Sequence, residues 1–379
     1  MRMRCSGMRL AAALAAAALA APLAASGQVR PARTMGPDIP DCRADRTVEV
    51  CRAERAFTPE ELTGRLGSSH TAVWVDGDVL VAAARRPGVE SVSLCCAIQA
   101  PMRRLGETDL WTLAARLSNI ESAFVDVMAR PEPSRLPLQW RGPNAPKPPP
   151  SVPFESLART EHVIDSASLG QKRKLTVWLP PRYSKAGSYP VVYSADGASV
   201  LSIASVVLPM IEAGTLPPLI MVGLENGEGM ARYEEYVSGR FEAHEAFVLK
   251  EVLPFIEANY AVSKNRSGRL LIGQSNGADW ALQTGARNPE VFGHIVALSP
   301  AAWDGSGLER PGRPRVFVAA GLYEGQMLYM ARQVEAKARQ TAGDLVLKTM
   351  ASGHSGILWS QLYPEALSWA FGRPAGEAR

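Results

Sequence analysis

The stretch from residue 269 to residue 287 reads RLLIGQSNGADWALQTGAR and decides the fold. Its first part, Leu270–Gly273, is a short apolar run of the kind that forms a buried strand. The residues from Gly273 to Gly277 make a G-x-S-x-G motif, and Ala278–Arg287 is typical of a helix. A strand, a tight glycine-flanked turn and a helix in this order predict a nucleophile elbow, with Ser275 exposed on the turn.

A serine hydroxyl is a weak nucleophile without a general base, and His354 is the predicted base. It lies in a loop of small residues, 351–356, after the strand-like run Leu345–Lys348 and before the final helix-like stretch. The chain order serine, acid, histidine places the base at this point. The other four histidines precede Ser275 or fall within strand or helix patterns, so they are predicted to be surface or packed residues.

The third member of such a triad is an acid that follows a strand between the serine and the histidine. Val316–Ala320 is an apolar run, and Glu324 comes just past its end. Its carboxylate would hold the His354 tautomer and stabilise the imidazolium. Asp304 competes for this role, so the sequence leaves two carboxylates and favours Glu324.

An oxyanion hole requires two backbone N–H groups directed at the developing negative charge. One is predicted at Asn276, directly after the nucleophile. The other is expected in the turn that follows the strand-like run Val191–Ser194, and the predicted donor there is Ala198.

Residues 155–375 alternate between short apolar runs and helix-like stretches, which predicts an α/β domain with a mostly parallel central sheet and helices on both faces. The expected strands are Leu175–Leu179, Val191–Ser194, Leu219–Leu224, Leu270–Gly273, Ile295–Leu298 and Val316–Ala320. The expected helices are Glu242–Glu257, Ala278–Arg287, Met327–Arg339 and Trp359–Ala370.

Residues 46–140 have a different pattern, with mostly strand-like runs and one short helical candidate at Pro59–Leu66. This pattern predicts a small β-sandwich. Residues 141–154 include a proline-rich run and are predicted to be an extended, semi-rigid linker. The expected strands of the sandwich are Thr71–Val75, Asp78–Ala83, Ser91–Ile98 and Phe124–Met128.

Further motifs of the α/β region agree in order and spacing with a known family. They are Tyr193 with Asp196-Gly197, Gly223 with Arg232–Tyr236, Phe247 with Leu253–Tyr260, the Ser275 elbow, Ser299–Trp303, Gly321–Glu324 and Gly353-His354. Over residues 160–372 the chain resembles the α/β-hydrolase esterases that include enterochelin (ferric enterobactin) esterases, feruloyl and acetylxylan esterases, esterase D and the mycolyltransferases.

The resemblance implies specific roles for residues of this chain. It gives Ser275 as nucleophile, His354 as base, Glu324 as acid and the turn 196–198 as part of the oxyanion hole. One departure is Asn276-Gly277-Ala278, where relatives often have a pair of glycines. Because the oxyanion donor is a backbone group, this departure affects the shape of the pocket more than the mechanism.

The segments 70–74, 92–94 and 102–111 resemble the immunoglobulin-like domain that precedes the catalytic domain in enterochelin esterases. This resemblance implies a catecholate siderophore ester, such as enterobactin, as the small-molecule substrate. Aromatic faces stack on catechol rings and arginines offset anionic oxygens. The predicted substrate contacts are therefore Trp111, Arg103 and Arg104 from the sandwich and Arg232 from the catalytic domain.

Residues 1–26 have the pattern of a cleaved secretory signal peptide, with three arginines, an apolar run at Leu10–Leu23 and small residues after it. Removal of these three arginines lowers the formal net charge from +4 to +1, so no nucleic-acid footprint remains. The sequence predicts a periplasmic or secreted protein with no membrane span after cleavage.

Four cysteines follow the predicted signal peptide, namely Cys42, Cys51, Cys95 and Cys96. An oxidising compartment permits disulfides, but spacing alone leaves their pairing open. No metal-ligand spacing and no phosphate-binding glycine loop is found, so neither a metal nor a cofactor is expected.

Two other functions remain open at this stage. One is a feruloyl or acetylxylan esterase that acts on cell-wall polysaccharide esters through the same mechanism. The other is an exported, non-catalytic ligand-binding protein on a hydrolase fold. The sequence does not decide the oligomeric state.

Overall fold

The computed structural model describes residues 38–45, 47–131 and 137–372. The predicted signal peptide lies outside these residues. The N-terminal part is built almost entirely from short strands, because its apolar residues alternate or cluster in runs too short for helices. Its strands and helix are β1 Val50–Arg52, α1 Pro59–Leu66, β2 Thr71–Asp76, β3 Val79–Arg85, β4 Ser93–Cys96, β5 Ala100–Pro101, β6 Arg103–Arg104, β7 Leu110–Leu117, β8 Phe124–Arg130 and β9 Leu138–Arg141, with a 3-10 turn at Ile120–Ser122.

These strands form two antiparallel sheets with one core between them. The first sheet has the order β1-β7-β3-β2 with β6 also paired to β7, and the second has the order β5-β4-β8-β9. Leu80 and Leu113 of the first sheet share a buried cluster with Leu94 and Val125 of the second. The predicted β-sandwich is therefore present in the structure, while its immunoglobulin-like identity and its limits at 46–140 stay predictions.

The remaining elements form an α/β arrangement. They are β10 Arg159–Ser166, β11 Gln171–Trp178, β12 Val191–Ser194, α2 Ser199–Glu212, β13 Ile220–Leu224, α3 Met230–Tyr236, α4 Phe241–Phe247, α5 Leu253–Asn259, β14 Arg269–Gln274, α6 Asn276–Arg287, β15 His294–Leu298, β16 Arg315–Gly321, α7 Gln326–Ala338, β17 Leu345–Met350 and α8 Gly356–Phe371. A π-helical segment, Val248–Val252, joins α4 to α5, and 3-10 turns lie at Phe154–Ser156, Arg266–Gly268 and Leu322–Glu324.

The strands β10 to β17 make one eight-stranded sheet in the order β10-β11-β13-β12-β14-β15-β16-β17. From β13 to β17 every neighbouring pair is parallel, whereas β10 and β11 are antiparallel additions at one edge. Helices α2 and α8 pack on one face and α3 to α7 pack on the other. This is the α/β arrangement, with a mostly parallel sheet and helices on both faces, that the alternating sequence pattern predicts. The carboxyl ends of its parallel strands share one edge.

The proline-rich segment between the two parts is held at both ends. The N–H of Gly142 donates to the carbonyl of Ala123 at 2.8 Å, and that of Val152 donates to the carbonyl of Ser205 in α2 at 3.0 Å. The segment therefore contacts the sandwich and the helical layer. All described residues belong to one compact unit. Across those residues, no helix combines the length and the apolar character that a membrane crossing requires.

The cysteines pair locally. Cys42 is bonded to Cys51, and the neighbouring residues Cys95 and Cys96 are bonded to each other. The sequence left this pairing open. The structure shows that neither of the adjacent cysteines is bonded to Cys42 or Cys51.

Candidate active site

Ser275 occupies a strained turn between β14 and α6. Its φ is +56°, a conformation that residues with a side chain rarely adopt outside functional turns. Its N–H donates to the carbonyl of Leu298 at the end of β15, at 2.9 Å. A Cβ added to Gly277 would lie 2.8 Å from the Cβ of Ala195, and one added to Gly273 would collide with the Gly277 backbone. Both glycines of the motif are therefore required for the chain to pass close to itself.

His354 and Glu324 form a hydrogen-bonded pair at the same edge of the sheet. The Nδ1 atom of His354 lies 2.7 Å from Oε1 of Glu324. The glutamate side chain is fully buried, and the histidine side chain is 16% exposed. The second carboxylate oxygen, Oε2, accepts hydrogen bonds from the hydroxyl of Ser299 at 2.9 Å and from the N–H of Gly321. Both carboxylate oxygens of Glu324 are thus engaged in this network.

The competing carboxylate, Asp304, is exposed. Its Oδ1 atom accepts from the N–H and the hydroxyl of Ser306, at 3.0 and 2.6 Å. These bonds close a local turn and lower the pKa of Asp304. The structure therefore places Glu324, and not Asp304, beside His354.

Ser299 and Trp359 connect the elbow to the His354–Glu324 pair. Ser299 directly follows Leu298, whose carbonyl holds the Ser275 turn, and it too has a positive φ, +58°. The indole Nε1 of Trp359 donates to the Ser299 hydroxyl at 3.0 Å, and the indole ring meets the His354 ring edge to face at 5.2 Å. In the sequence, Ser299 was identified only as part of a motif and Trp359 only as the start of a helix, so their contacts with the site were not predicted.

The predicted oxyanion donors lie at the starts of two helices. Asn276 is the first residue of α6, and Ala198 caps α2. N–H groups at these positions have no carbonyl partner within their own helix. Asp196, two residues before Ala198, is another residue of positive φ, +57°, and an added Gly277 Cβ would lie 3.2 Å from its carboxylate. The elbow and the Asp196 turn are therefore adjacent.

Arg232 does not lie free at the site as a substrate cation. Its Nε and Nη2 atoms bind the two carboxylate oxygens of Asp196 at 2.6 and 2.8 Å. Its Nη2 atom is also 3.4 Å from the carbonyl of Gln274, the residue before Ser275. The hydroxyl of Tyr236 accepts from the Asp196 N–H at 2.9 Å. The carboxylate of Asp196 neutralises the guanidinium in this way, so its contacts are those of a group that fixes the turn. A substrate contact at Arg232 stays a prediction.

The sandwich residues predicted to touch substrate differ in their exposure, and only Trp111 is buried. Trp111 is 5% exposed and lies within the core of the sandwich, because it belongs to the face of β7 that is turned inward. Its role as an aromatic wall is therefore ruled out. Arg104 is exposed, but its guanidinium donates to the carbonyl of Thr108 at 2.6 Å and lies over the Trp111 ring. Arg103 is exposed on the neighbouring position of β6.

Direct contacts between the sandwich and the catalytic loops come from other residues. The hydroxyl of Tyr323, next to Glu324, donates to the carbonyl of Ser118 at 2.6 Å. Ser352, two residues before His354, donates through its hydroxyl to the carbonyl of Phe124 at 2.6 Å. A Cβ on Gly353 would collide with the backbone of residue 97 in the sandwich. Tyr323 and Gly353 lie in motifs of the sequence analysis, but nothing in the sequence indicated that these residues contact the sandwich.

Asp279 is a further buried carboxylate near the elbow that the sequence analysis did not identify. It is 1% exposed, and its Oδ1 atom accepts from the N–H groups of Ala301, Ala302 and Trp303 at 3.0 to 3.1 Å. Burial raises its pKa to about 6, although these hydrogen bonds act in the opposite direction. Asp279 thereby ties the loop after Ser299 to the first turn of α6.

Within the described residues, no group of three or more His, Cys, Asp or Glu side chains could hold a metal ion. Two of the other histidines are packed in the interior, as expected. Burial lowers the pKa of His244 to about 3 and that of His294 to about 4, so both are neutral near pH 7.

A family model described as "Putative esterase" matches residues 166–359, which include the elbow, Glu324 and His354. The chain belongs to this esterase family. Among curated proteins, the esterase is 26% identical over 233 residues to YbbA of Bacillus subtilis (strain 168), a match that covers 53% of this chain and 93% of YbbA.

Solved structures of enterobactin esterases share the fold of this esterase. The enzyme from Shigella flexneri, crystallised in the presence of enterobactin, has a TM-score of 0.63 at 16% identity, over 84% of this chain and 99% of that one. The ferric enterobactin esterase from Salmonella typhimurium has a TM-score of 0.60 at 15% identity, over 79% and 96% of the two chains. Family and fold together establish a carboxylic ester hydrolase of the α/β-hydrolase type.

Proposed function

We propose that this esterase cleaves its substrates through an acyl-enzyme on Ser275, and that these substrates are catecholate siderophore esters. The observation that carries the mechanism is the Glu324–His354 hydrogen bond, at the edge of the sheet where the strained Ser275 turn projects. Nucleophile, acid and base then follow each other along the chain in the order typical of this fold.

In this mechanism the Nε2 atom of His354 accepts the Ser275 proton while the hydroxyl oxygen attacks the ester carbonyl. The Nδ1–H group donates to Glu324, which holds the reactive tautomer and stabilises the imidazolium. Collapse of the tetrahedral intermediate transfers the proton from His354 to the departing alcohol. Water, deprotonated by the same histidine, then attacks the acyl-enzyme and releases the acid.

The N–H groups of Asn276 and Ala198 would stabilise the oxyanion of the tetrahedral intermediate. Loss of one such donor typically costs a factor of about 10²–10³ in turnover. The Arg232–Asp196 ion pair supports this role, because it joins the Ala198 turn to the strand end that carries Ser275. Arg232 is then a positioning residue.

Two observations support a siderophore ester as substrate. The sandwich and the α/β-hydrolase part together match nearly the full length of enterobactin esterase structures, one of them crystallised with enterobactin present. The sandwich also contacts the loops of Glu324 and His354, so a second domain borders the site. In keeping with the leader-like residues 1–26, we propose that the enzyme acts in the periplasm or outside the cell.

The test is hydrolysis of a substrate panel by the purified full-length chain. The panel contains ferric and iron-free enterobactin, feruloylated sugars and acetylated xylan, with a Ser275→Ala variant as the matched control. Preferential cleavage of enterobactin that is lost in the variant supports the proposal. Preference for feruloyl or acetyl esters would assign the enzyme to cell-wall polysaccharides, and binding without turnover of any ester would indicate a non-catalytic ligand-binding protein.

A further inference from the structure

A cavity of about 570 Å³ lies where the sandwich, the proline-rich segment and the helices α2 and α8 meet. This volume falls within the range of roughly 300–1,000 Å³ that is typical of small-molecule sites. Its walls come from both parts of the chain, and the residues that matter for its chemistry are Gln139, Arg141, Phe154, Ser202, Ile357 and Ser360.

The cavity begins close to the proposed catalytic groups. Ile357 is three residues after His354, in the first turn of α8, and Ser202 is four residues after Ala198, in the first turn of α2. Each turn of an α-helix rises about 5.4 Å, so both residues are within roughly one turn of the loops that hold the base and the proposed oxyanion donor. The subsite inferred below places the ester group of the substrate at Ser275 and another part of the substrate in this cavity.

Arg141 supplies the charge of the cavity. It stacks on the buried ring of Phe124 at 5.2 Å, and its Nη1 atom donates to the carbonyl of Pro146 at 2.8 Å. Among the described residues, no carboxylate is within salt-bridge distance of its guanidinium. The buried Asp126 is the acid that interacts with it, and burial raises the pKa of Asp126. The guanidinium thus retains donors for an anionic ligand.

The rest of the lining suits a flat ring. Phe154 is 49% exposed, so its ring face is open to a ligand, and prolines of the linker flank it. The hydroxyls of Ser202 and Ser360 and the amide of Gln139 can bond to polar substituents on the ring edge. An apolar wall with a few convergent polar groups is typical of a ligand site.

We infer that this cavity is a substrate subsite that binds an aromatic ring bearing an anionic oxygen, with Arg141 as its cation. The inference rests on the proposed function, because it assigns to the same ester substrate a place for its ring. It also gives Phe154 the stacking contact that was expected of Trp111, and Arg141 is a cation with donors left for the ligand.

The experiment compares esters that differ only in charge, with the full-length chain. One pair is 4-acetoxybenzoate and 4-acetoxybenzamide, which place the ring on the leaving group. The other is monomethyl terephthalate and its primary amide, which place the ring on the acyl group. Ringless vinyl acetate serves as the reference ester. The variants are Arg141→Gln, Phe154→Ala and the control Arg159→Gln, an exposed arginine on β10 whose nearest acid is Glu161 at 3.9 Å.

We expect the native enzyme to prefer the carboxylate of at least one pair by about tenfold in kcat/KM, the range of a charge-assisted hydrogen bond. Arg141→Gln should remove this preference, and Arg159→Gln should keep it. Phe154→Ala should lower kcat/KM for both ring esters relative to vinyl acetate, and this result also tests the subsite if Arg141→Gln does not fold.

Two outcomes separate the subsite from the enzyme itself. The subsite would be overturned if the native enzyme hydrolyses vinyl acetate but shows no preference for either carboxylate ester. It would also be overturned if the preference persists in Arg141→Gln. Both results would leave the esterase mechanism intact. Absence of hydrolysis of every ester by the native chain would instead contradict the proposed function.

Discussion

The exchange Glu324→Gln tests the proposed acid through the direction of a single hydrogen bond. In the native network Oε2 accepts from the Gly321 N–H and from Ser299, whose hydroxyl is directed at Glu324 because its oxygen accepts from Trp359. In the variant, the amide oxygen must therefore stay at the Oε2 position. The NH₂ group then faces Nδ1 of His354, where the native enzyme has an acceptor 2.7 Å away.

This arrangement forces His354 into the wrong tautomer. With an amide donor opposite Nδ1, the ring nitrogen must accept, and its proton moves to Nε2, the atom that has to take the Ser275 proton. The corresponding acid-to-amide exchange in a serine protease costs about 10⁴ in kcat. We expect a loss of about 10³–10⁴ here, or about 4–5.5 kcal/mol of transition-state stabilisation, with little loss of folding stability because the side chains are isosteric.

The assay is kcat on 4-nitrophenyl acetate, with the melting temperature measured in parallel. Asp304→Asn is the matched control, since Asp304 is a carboxylate on an exposed turn of the same region, and it should retain near-native turnover. A folded Glu324→Gln enzyme within tenfold of native, or a larger loss in Asp304→Asn, would refute the tautomer argument.

Three further predictions concern the surroundings of the site. Burial raises the pKa of Asp279 from 3.8 to about 6, so ionisation of this carboxyl destabilises the folded protein. The free energy of unfolding should therefore fall as the pH rises from 4 through 6. Urea unfolding should show the native chain losing up to about 3 kcal/mol relative to Asp279→Asn between pH 4 and pH 7, and identical pH profiles would contradict this. Tyr323→Phe leaves the Ser118 carbonyl without its donor, so thermal unfolding should report a loss of about 1–3 kcal/mol, and an unchanged melting temperature would argue against the contact. The fragment 155–379 should lose activity on 4-nitrophenyl acetate as well as on larger esters, because Tyr323 and Ala351 would lose the sandwich core that covers them. Native-like turnover by this fragment would show that the sandwich is dispensable.

The strands of the catalytic half could be predicted because parallel strands that are buried on both faces consist of short runs of apolar residues. Val191–Ser194 was predicted to the residue, and the predicted limits of β14 and β16 differ from the observed ones by one residue at each end. The sequence did not predict β7, whose residues LWTLAARL show neither the alternation of a half-exposed strand nor an uninterrupted apolar run. The strand is nevertheless buried along almost its full length. The predicted helix Glu242–Glu257 is interrupted by the π-helical segment, for which the sequence pattern contains no signal.

The candidate site divides in the same way. Ser275, Glu324 and His354 could be proposed from the sequence because a local motif and chain order constrain them. Asp279 and Ser352 were not, since their contacts depend on loops that meet only in three dimensions. The prediction that Trp111 contacts substrate failed for a related reason. An aromatic residue has the same sequence pattern in a core as on a binding surface.

Covalent labelling with a fluorophosphonate tests the central claim, a serine nucleophile activated by His354, most directly. The probe is applied to the native chain and to the Ser275→Ala and His354→Ala variants, and the modified peptide is mapped by mass spectrometry. We predict a single adduct on Ser275 in the native chain, none in Ser275→Ala, and a rate lower by several orders of magnitude in His354→Ala. A native chain that stays unlabelled, or an adduct on another residue that persists in Ser275→Ala, would contradict the assignment.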